Sequence, residues 1–373
     1  MLLSLSITHL RNLESIQLDF DPCFNFIVGA NASGKTSLLE AIYLLGTGRS
    51  FRALKTRDFV HHKNHSAVIL GGISKAYGHV ITQAAIQKNI SGENKIVLNS
   101  KIQNNIAPLA KLLPVQIIGP DLELFSDAGS AARRQFLDWG LFYEGESYWP
   151  LWKQSRQILC QRNALLKQSQ LDLRQLDYWD DQWAEISNKI SQLRCDYLSR
   201  LIQSASFKQA SFLAADCFSV EYQQGWPHKK SLIDCLVDSR ERDRLKGHTQ
   251  YGIHRDDIKI AVKNRVASDV LSRGQKKLMT LQLRFAQAGI LSAQNEQLRS
   301  IFLLDDLASE LDPENQTKVI EALAELNYQA FITSTQEQAH WARVVVEKGS
   351  SFKMFHVEQG EIVGETTDRP LLA

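Results

Sequence analysis

The sequence predicts an α/β fold: a mixed core in two halves, an antiparallel β lobe on the first half, and an inserted α-helical domain between the halves. Three observations carry this. A glycine-rich loop, GANASGKTS at 29–37, stands between the strand-like FNFIV and the helix-like LLEAIYLL. A glycine-poor block rich in Leu, Gln and Arg runs from about Arg133 to Leu213. After it, IFLLDD at 301–306 reads as a buried strand ending in two acids.

Taken in order, Leu3, Leu5 and Ile7 alternate with serines and Thr8, and Ile16, Leu18 and Phe20 alternate with Gln17 and Asp19. This period of two marks half-buried strands. FNFIV (24–28) is a compact buried strand, and SAVILGGI, HVITQAAI and KIVLNSKI complete an antiparallel lobe around the turn-rich NISGEN. In the central block Ile186, Ile190, Leu193, Tyr197 and Leu201 recur at helical steps and form one apolar face. Trp179 and Trp183, four apart, fit helix packing, and the absence of sustained heptads excludes a long coiled coil. From about Phe218 the pattern is mixed again. Asp312-Pro313 is an N-cap followed by a first-turn proline; Val319, Ile320, Leu323 and Leu326 mark the helix face, and AFITST is the next strand. The expected division is 1–120 for the first half with its β lobe, 121–245 for the mainly helical insertion, and 246–373 for the second half. Strands from both halves are expected to share one sheet.

The chain has 373 residues, 44% of them apolar and 23% charged, enough to bury sizeable cores unaided. Its net charge of +2 means that any polyanion site must be a local patch. No apolar run is long enough to span a bilayer, and MLLSLSITHLRN reaches Arg11 too soon for a signal peptide. Cys23, Cys160, Cys195, Cys217 and Cys235 are scattered without CxxC pairs, which suits free thiols in a reducing cytosol rather than zinc. A cytoplasmic protein with no membrane partner is expected.

GANASGKTS matches G-x-x-x-x-G-K-[ST] with the strand and helix that such a loop requires. Backbone N–H groups from Gly29, Ala30, Asn31, Ala32, Ser33 and Gly34 can turn inward around phosphate oxygens, and Ser37 closes the loop against the helix N-terminus. Lys35 is placed for the β- and γ-phosphates and Thr36 for Mg²⁺. Asp305, at the end of the apolar strand, is the matching magnesium acid, and Asp306 can orient an attacking water.

In LSRGQKKL, Ser272 and Gln275 form an S-x-x-Q capping box ahead of Leu278, Leu281 and Phe285. A capped helix N-terminus is also an anion site, so the stretch alone leaves open whose phosphate it faces. GRSFRALKTR carries Arg49, Arg52, Lys55 and Arg57 around Phe51, either a solvated loop or a patch for DNA phosphates. Arg133 and Arg134 divide between salt bridges and phosphate contacts. His61, His62 and His65 read as a solvated loop rather than a metal site.

The three motifs, GANASGKT, LSRGQ and LLDDLASELD, resemble in this order the ABC-type ATPases. More finely, HLRNLESIQLDF, VGANASGKTSLLEAIYLLGTGRSFR, RRQFLDWGLFY, YGIHRDDIKI, LSRGQKK and LLDDLASELD are similar to blocks of the RecF family, relatives of the chromosome-maintenance ATPases. They run from near Leu10 to Asp312, most of the chain. The resemblance implies a P-loop ABC-type ATPase head using ATP and Mg²⁺, with Lys35 and Asp306 catalytic. It implies an ATP-dependent homodimer in which Ser272, Gly274 and Gln275 cap the γ-phosphate held by Lys35 of the second subunit, with Asp312 at the seam. It places Gln116 near the loop that senses the metal. It further implies a weak, DNA-stimulated ATPase that closes on duplex DNA at single-strand gaps, acts in DNA repair, replication and the SOS response, and works with RecR, and with RecO, toward RecA loading.

Two departures from the superfamily stand out. Arg273 replaces the second residue of LSGGQ, and Asp306 stands where most ABC proteins have glutamate, which suits slow hydrolysis. No histidine follows the next strand, so the γ-phosphate sensor lies open among Thr333, Ser334 and Thr335. Two rivals make different demands. An ABC transporter's nucleotide subunit requires a membrane partner and a shorter stretch between Lys35 and Ser272. A small-molecule P-loop kinase gives LSRGQ no role.

Overall fold

The structure, a computed structural model, describes residues 1–74, 80–119, 124, 129–209, 212, 218–295 and 297–368. The chain divides into two compact units, Met1–Leu122 with Ala288–Ala373, and Glu123–Gln287.

In the first unit FNFIV becomes β3 (Phe24–Val28), buried at every position because parallel strands flank it on both sides. Its sheet runs β15 (Glu361–Asp368), β14 (Phe352–Glu358), β3, β13 (Gln329–Ser334), β12 (Ile301–Leu304), β8 (Val115–Ile118). All pairings are parallel except the β14–β15 hairpin. β3 and β8 precede the second unit and the other four strands follow it, so both halves of the chain build one sheet.

A second sheet is antiparallel throughout, in the order β2 (Leu13–Asp19), β1 (Leu2–Leu10), β4 (Ser66–Ser74), β5 (Ile81–Asn89), β6 (Asn94–Leu98), β7 (Lys101–Gln103). KIVLNSKI is not one strand but a hairpin. Asn99 and Ser100, at φ 45° and 65°, supply the two left-handed positions that match the twist of tightly paired strands. In β1, Leu5 and Ile7 are buried as the alternation requires, but Leu3 is not. A register shift between Leu2 and Ser4 turns Leu2 inward instead.

Helix α1 (Lys35–Thr47) buries Leu38, Leu39, Ala41, Ile42, Leu44 and Leu45 around its whole circumference, the signature of an interior helix. It touches β8 and β13 of one sheet and β1, β4 and β5 of the other, and a single apolar core joins all of them. Each fully buried leucine or isoleucine contributes about 2 kcal/mol. The helix stops at Gly48, which takes φ 74° and returns its N–H to Leu44 O. Short α2 (Ala107–Ala110) packs on α1. Beyond β12 come α10 (Leu307–Glu310), α11 (Pro313–Glu325) and α12 (Ala339–Glu347). Asp312 caps α11 by accepting Asn315 N–H, and Val319, Ile320 and Leu323 are its buried stripe.

The second unit holds α3 (Ser130–Glu144), α4 (Tyr148–Leu166), α5 (Leu173–Gln203), α6 (Ala205–Gln209), α7 (Leu232–Lys246), α8 (Ala267–Val270) and most of α9 (Arg273–Gln294). It also holds a small antiparallel sheet of β9 (Phe218–Gln223), β10 (Asp257–Val262) and β11 (Arg265–Val266). It therefore extends to Gln287, past the expected limit at 245. The reason is that β10 pairs with β9 and is tied to the helices by charge. Arg133 grips Asp257 bidentately at 2.6 and 2.9 Å, and Arg194 bonds Asp256 and Asp138, each at 2.7 Å. Arg134 donates to Asp256 O, so both arginines of AARRQF are internal ties.

Along α5, Ile186, Ile190, Tyr197 and Leu201 are buried as expected, but Arg194 takes the interior place beside half-exposed Leu193. A second buried arginine, Arg162, bonds Asp180, Asp243 and Thr249. Removing one partner from such a pair leaves a buried charge uncompensated, at about 3–5 kcal/mol. Trp183 is buried and donates to Tyr251 O at 3.0 Å.

Candidate functional site

The glycine-rich loop leaves the C-terminal end of β3 and feeds the N-terminus of α1, where the helix dipole favours anions. Gly34 sits at φ 122°, beside Leu13 and Asn12, a conformation that side chains rarely adopt. Lys35 folds back over the loop and donates to Gly29 O at 2.7 Å and Ala30 O at 2.8 Å. Burial lowers its pKa, and the carboxylates of Asp306 and Asp305 oppose that shift. The cation is thus kept beside the position that a phosphate takes in such a loop.

Two sequence-distant residues meet here. Thr36 Oγ1 lies 3.0 and 3.2 Å from the two carboxylate oxygens of Asp305. Neighbouring ligands of an octahedral Mg²⁺ sit about 2.9 Å apart when each bond is about 2.0–2.1 Å, so a hydroxyl and a carboxylate at this spacing fit one edge of its shell. Among the described residues no group of three or more His, Cys, Asp or Glu could hold a metal ion.

Asp306 follows in the left-handed region at φ 53°. Its Oδ2 accepts from Ser309 at 2.7 Å, while Oδ1 is buried with no hydrogen-bond partner among the described residues. A lone buried carboxylate oxygen is an acceptor in want of a proton, as the site of a bound water should be. Thr333, fully buried at the end of β13, donates to Asp305 Oδ1 at 2.8 Å and accepts Asp306 N–H at 2.7 Å. Of the three sensor candidates it alone reaches both acids; Ser334 is buried and accepts Gln336 N–H, and Thr335 is exposed.

Beside the loop opens a cavity of about 890 Å³ lined by Lys35, Thr36, Arg11, Asn12, Arg52 and His62, among others. The β1–β2 turn was not foreseen as part of the site. Asn12 accepts from Ser37 and donates to Ser33 O, while Arg11 pairs with the fully buried Glu40 of α1 at 2.8 and 3.0 Å. Ser50 also bonds Glu40 and holds the backbone of Arg52 and Ala53, so one carboxylate anchors both walls. His61 likewise departs from the solvated-loop reading. It is buried, with Nδ1 3.0 Å from Asn64.

Other expected residues fall elsewhere. Gln116 lies inside β8 opposite Phe302, fully buried, whereas the neighbour of Asp305 is Ile118, whose carbonyl accepts its N–H. A strand rises about 3.3 Å per residue, so Gln116 is set back from the acids and is not brought to them. The segment 120–123 after β8 lies outside the described residues. Asp312 is exposed, and both its oxygens are engaged by Asn315, which holds its carboxyl below the usual range. Ser272 and Gln275 close the capping box reciprocally at 2.9 and 3.3 Å, exposed at the start of α9, and the space beyond Gly274 is open. Arg49, Arg52, Lys55 and Arg57 are exposed, with no carboxylate partner among the described residues, around a fully exposed Leu54.

Residues 1–362 match the family model described as RecF/RecN/SMC N terminal domain. A "DNA replication and repair protein RecF" of Erwinia tasmaniensis is 36% identical over 98% of this chain and 99% of its own. That of Cellvibrio japonicus is 35% identical over 96% and 98%. Among solved structures, the recombination mediator protein RecF with ATP, of the RecFOR pathway, superposes with a TM-score of 0.84 at 26% identity, covering 98% of this chain and 97% of that one. An SMC head bound to the ScpA winged-helix domain shares the fold at a TM-score of 0.55 and 15% identity, covering 99% and 97%.

Proposed function

The chain belongs to the RecF family, and on that premise we propose that it is an ATP-operated DNA-binding switch of recombinational repair and replication restart. The observation that carries this is the meeting of Thr36 with Asp305, which closes the phosphate loop onto the acid pair. Gly29 to Ser37 cradle the phosphates, and Lys35 exchanges its two loop carbonyls for β- and γ-phosphate oxygens. Thr36 and Asp305 would hold magnesium together with the phosphates, and it would neutralise charge on the transferring group. Asp306 Oδ1 accepts a proton of the attacking water as the bond to the γ-phosphorus forms and the bridging bond breaks, giving ADP and phosphate. A carboxylate shorter than glutamate holds that water less closely, which suits slow, DNA-stimulated turnover.

The exposed capping box at Ser272, with open space beyond Gly274, is free to meet the γ-phosphate of a second copy. ATP thus closes a homodimer on duplex DNA at single-strand gaps and hydrolysis opens it. The exposed cations of the 48–57 loop neutralise backbone phosphates, and RecR, with RecO, acts beside it in RecA loading. A cytoplasmic place of action follows from this role. No described helix is long and apolar enough to cross a membrane. The kinase reading gives LSRGQ no role, and the transporter reading needs a membrane partner and a shorter stretch between Lys35 and Ser272 than this chain has.

The test is ATP turnover on gapped against blunt DNA, with mass measured with and without ATP. DNA should raise the rate and ATP should double the mass, and Lys35→Arg should abolish both responses. A mass that stays monomeric with ATP, together with a rate indifferent to DNA, sinks the reading.

A further inference from the structure

The loop after α1 carries a side chain that neither nucleotide nor phosphate contacts use. Leu54 stands fully in solvent, the most exposed large apolar side chain among the described residues. The loop around it is pinned. Thr47 Oγ1 lies 2.7 Å from Tyr43 O and 3.1 Å from Arg49 O. Ser50 Oγ accepts the N–H groups of Arg52 and Ala53 at 2.9 and 2.8 Å and donates to the buried Glu40. Phe51 meets Tyr43 edge to face, with centroids 5.5 Å apart. Beyond Leu54, Asp58 O accepts from Arg11, which is itself paired with Glu40. Held on both sides, Leu54 has no slack with which to fold back onto the core. Arg49, Arg52, Lys55 and Arg57 surround it, exposed and without a carboxylate partner among the described residues, and Asp58 is the only acid of the loop. A single exposed leucine is ordinary on a protein surface; the pinned loop and the free cations set this one apart.

We propose that Leu54 is a wedge: it enters a base step of the bound duplex, unstacks it and kinks the DNA, while the flanking cations hold the phosphates on either side. This rests on the reading that the loop meets DNA, and adds that the duplex is deformed rather than only gripped. Phosphate contacts alone need no apolar group. An apolar side chain among cations is how a protein parts a base step, the cost of unstacking being offset by closer contact with the bent duplex. A protein partner asks for a contiguous apolar patch, but Phe51 is committed to Tyr43 and Ala53 is half-buried, so Leu54 stands alone. One leucine is also too small to hold a bilayer. Insertion is easiest where stacking is weak, so the wedge selects flexible TA and CA steps over stiff A-tracts. Phosphate contacts carry no such preference.

The test uses the full chain with ATP and Mg²⁺, and duplexes of equal length carrying 2-aminopurine either in a central TA step or within an A-tract. Dyes at both ends report the end-to-end distance. The wild type should raise 2-aminopurine fluorescence at the TA step severalfold, shorten the end-to-end distance, and bind the TA duplex roughly tenfold more tightly than the A-tract. Leu54→Ser, at an exposed position that leaves the fold intact, should abolish the fluorescence rise, the bend and the preference. Its slope of log affinity against log salt should stay at the wild-type value, because the cations remain. Leu54→Met should retain the rise and the bend. A wild type that binds duplex without unstacking or bending it overturns the proposal and leaves the DNA reading in place, and so does a serine variant that unstacks and bends as the wild type does. A salt slope that falls in the serine variant also overturns it, since Leu54 would then only position the cations. A serine variant that still unstacks the step but no longer gains mass with ATP makes Leu54 a contact to a second copy instead. Failure of the wild type to bind any duplex removes the DNA reading itself, and the wedge with it.

Discussion

Thr333 donates its hydroxyl to Asp305 Oδ1 at 2.8 Å. Its own Oγ1 accepts the Asp306 N–H at 2.7 Å, so one side chain from β13 fixes both the Asp305 carboxylate and the backbone of its neighbour. Valine has nearly the same shape and neither capacity. Thr333→Val should lower kcat by roughly tenfold to a hundredfold, the loss of a hydrogen bond to a charged group. It should raise the Mg²⁺ concentration needed for half-maximal rate while leaving KM for ATP near wild type. Thr333→Ser should restore most of the rate. Turnover titrated against Mg²⁺ reads all three, and a Val variant that follows the wild-type curve removes Thr333 from the site.

That arrangement also shows what the sequence could convey. The phosphate loop, Asp305 and the capping box were legible because each is local, a short pattern whose backbone geometry follows from its own residues. Thr333 could be named only as one of three neighbours, because which of them faces the acids depends on the register of β13 against β12, a pairing made across the fold. Gln116 was misplaced for the same reason, since its distance from Asp305 follows from where β8 meets β12. Arg11, Asn12 and Glu40 stood inside family-like blocks but gave no sign of a place in the site: a surface-like Arg-Asn and a glutamate within an apolar helix become one wall only when β1, β2 and α1 have packed.

Ser272 caps α9 and is exposed, so a large cation placed there should act mainly on contacts outside the subunit. Ser272→Arg should cost about 1 kcal/mol of helix stability through the lost cap. It should leave ATP binding by the monomer near wild type and abolish the ATP-dependent increase in mass. Light scattering beside nucleotide titration distinguishes the two effects. An Arg variant that still doubles its mass with ATP takes the capping box out of the dimer seam.

The second unit carries a built-in sensitivity to acid. His254 Nε2 donates to Thr249 O at 3.0 Å, while Nδ1 is buried with no partner among the described residues. Burial lowers its pKa from 6.5 to about 4. The neutral ring is favoured in the folded state and the unfolded chain binds the extra proton, so this stability is full above pH 6.5 and is lost as pH falls from there toward 4. At pH 5 the loss should be about 2 kcal/mol. His254→Gln keeps a donor for Thr249 without the titration. Urea unfolding at pH 7.5 and 5 should show the variant losing less than the wild type, and equal losses would place the acid sensitivity elsewhere.

The loop at 48–57 separates into two functions by position. Lys55 and Arg57 are exposed and away from the cavity lining, whereas Arg52 lines the cavity beside Lys35. If Lys55 and Arg57 meet DNA phosphates, each releases about one counterion on binding. Lys55→Ala with Arg57→Ala should therefore reduce the slope of log affinity against log salt by about two, uniformly across DNA sequences, with DNA-free ATP turnover unchanged. Arg52→Ala should instead raise KM for ATP, because its side chain lines the cavity beside Lys35. Salt titrations of duplex binding check the first, and steady-state kinetics check the second. An unaltered slope in the double variant would leave those two cations as solvated surface, and the duplex contact would have to be sought on other residues.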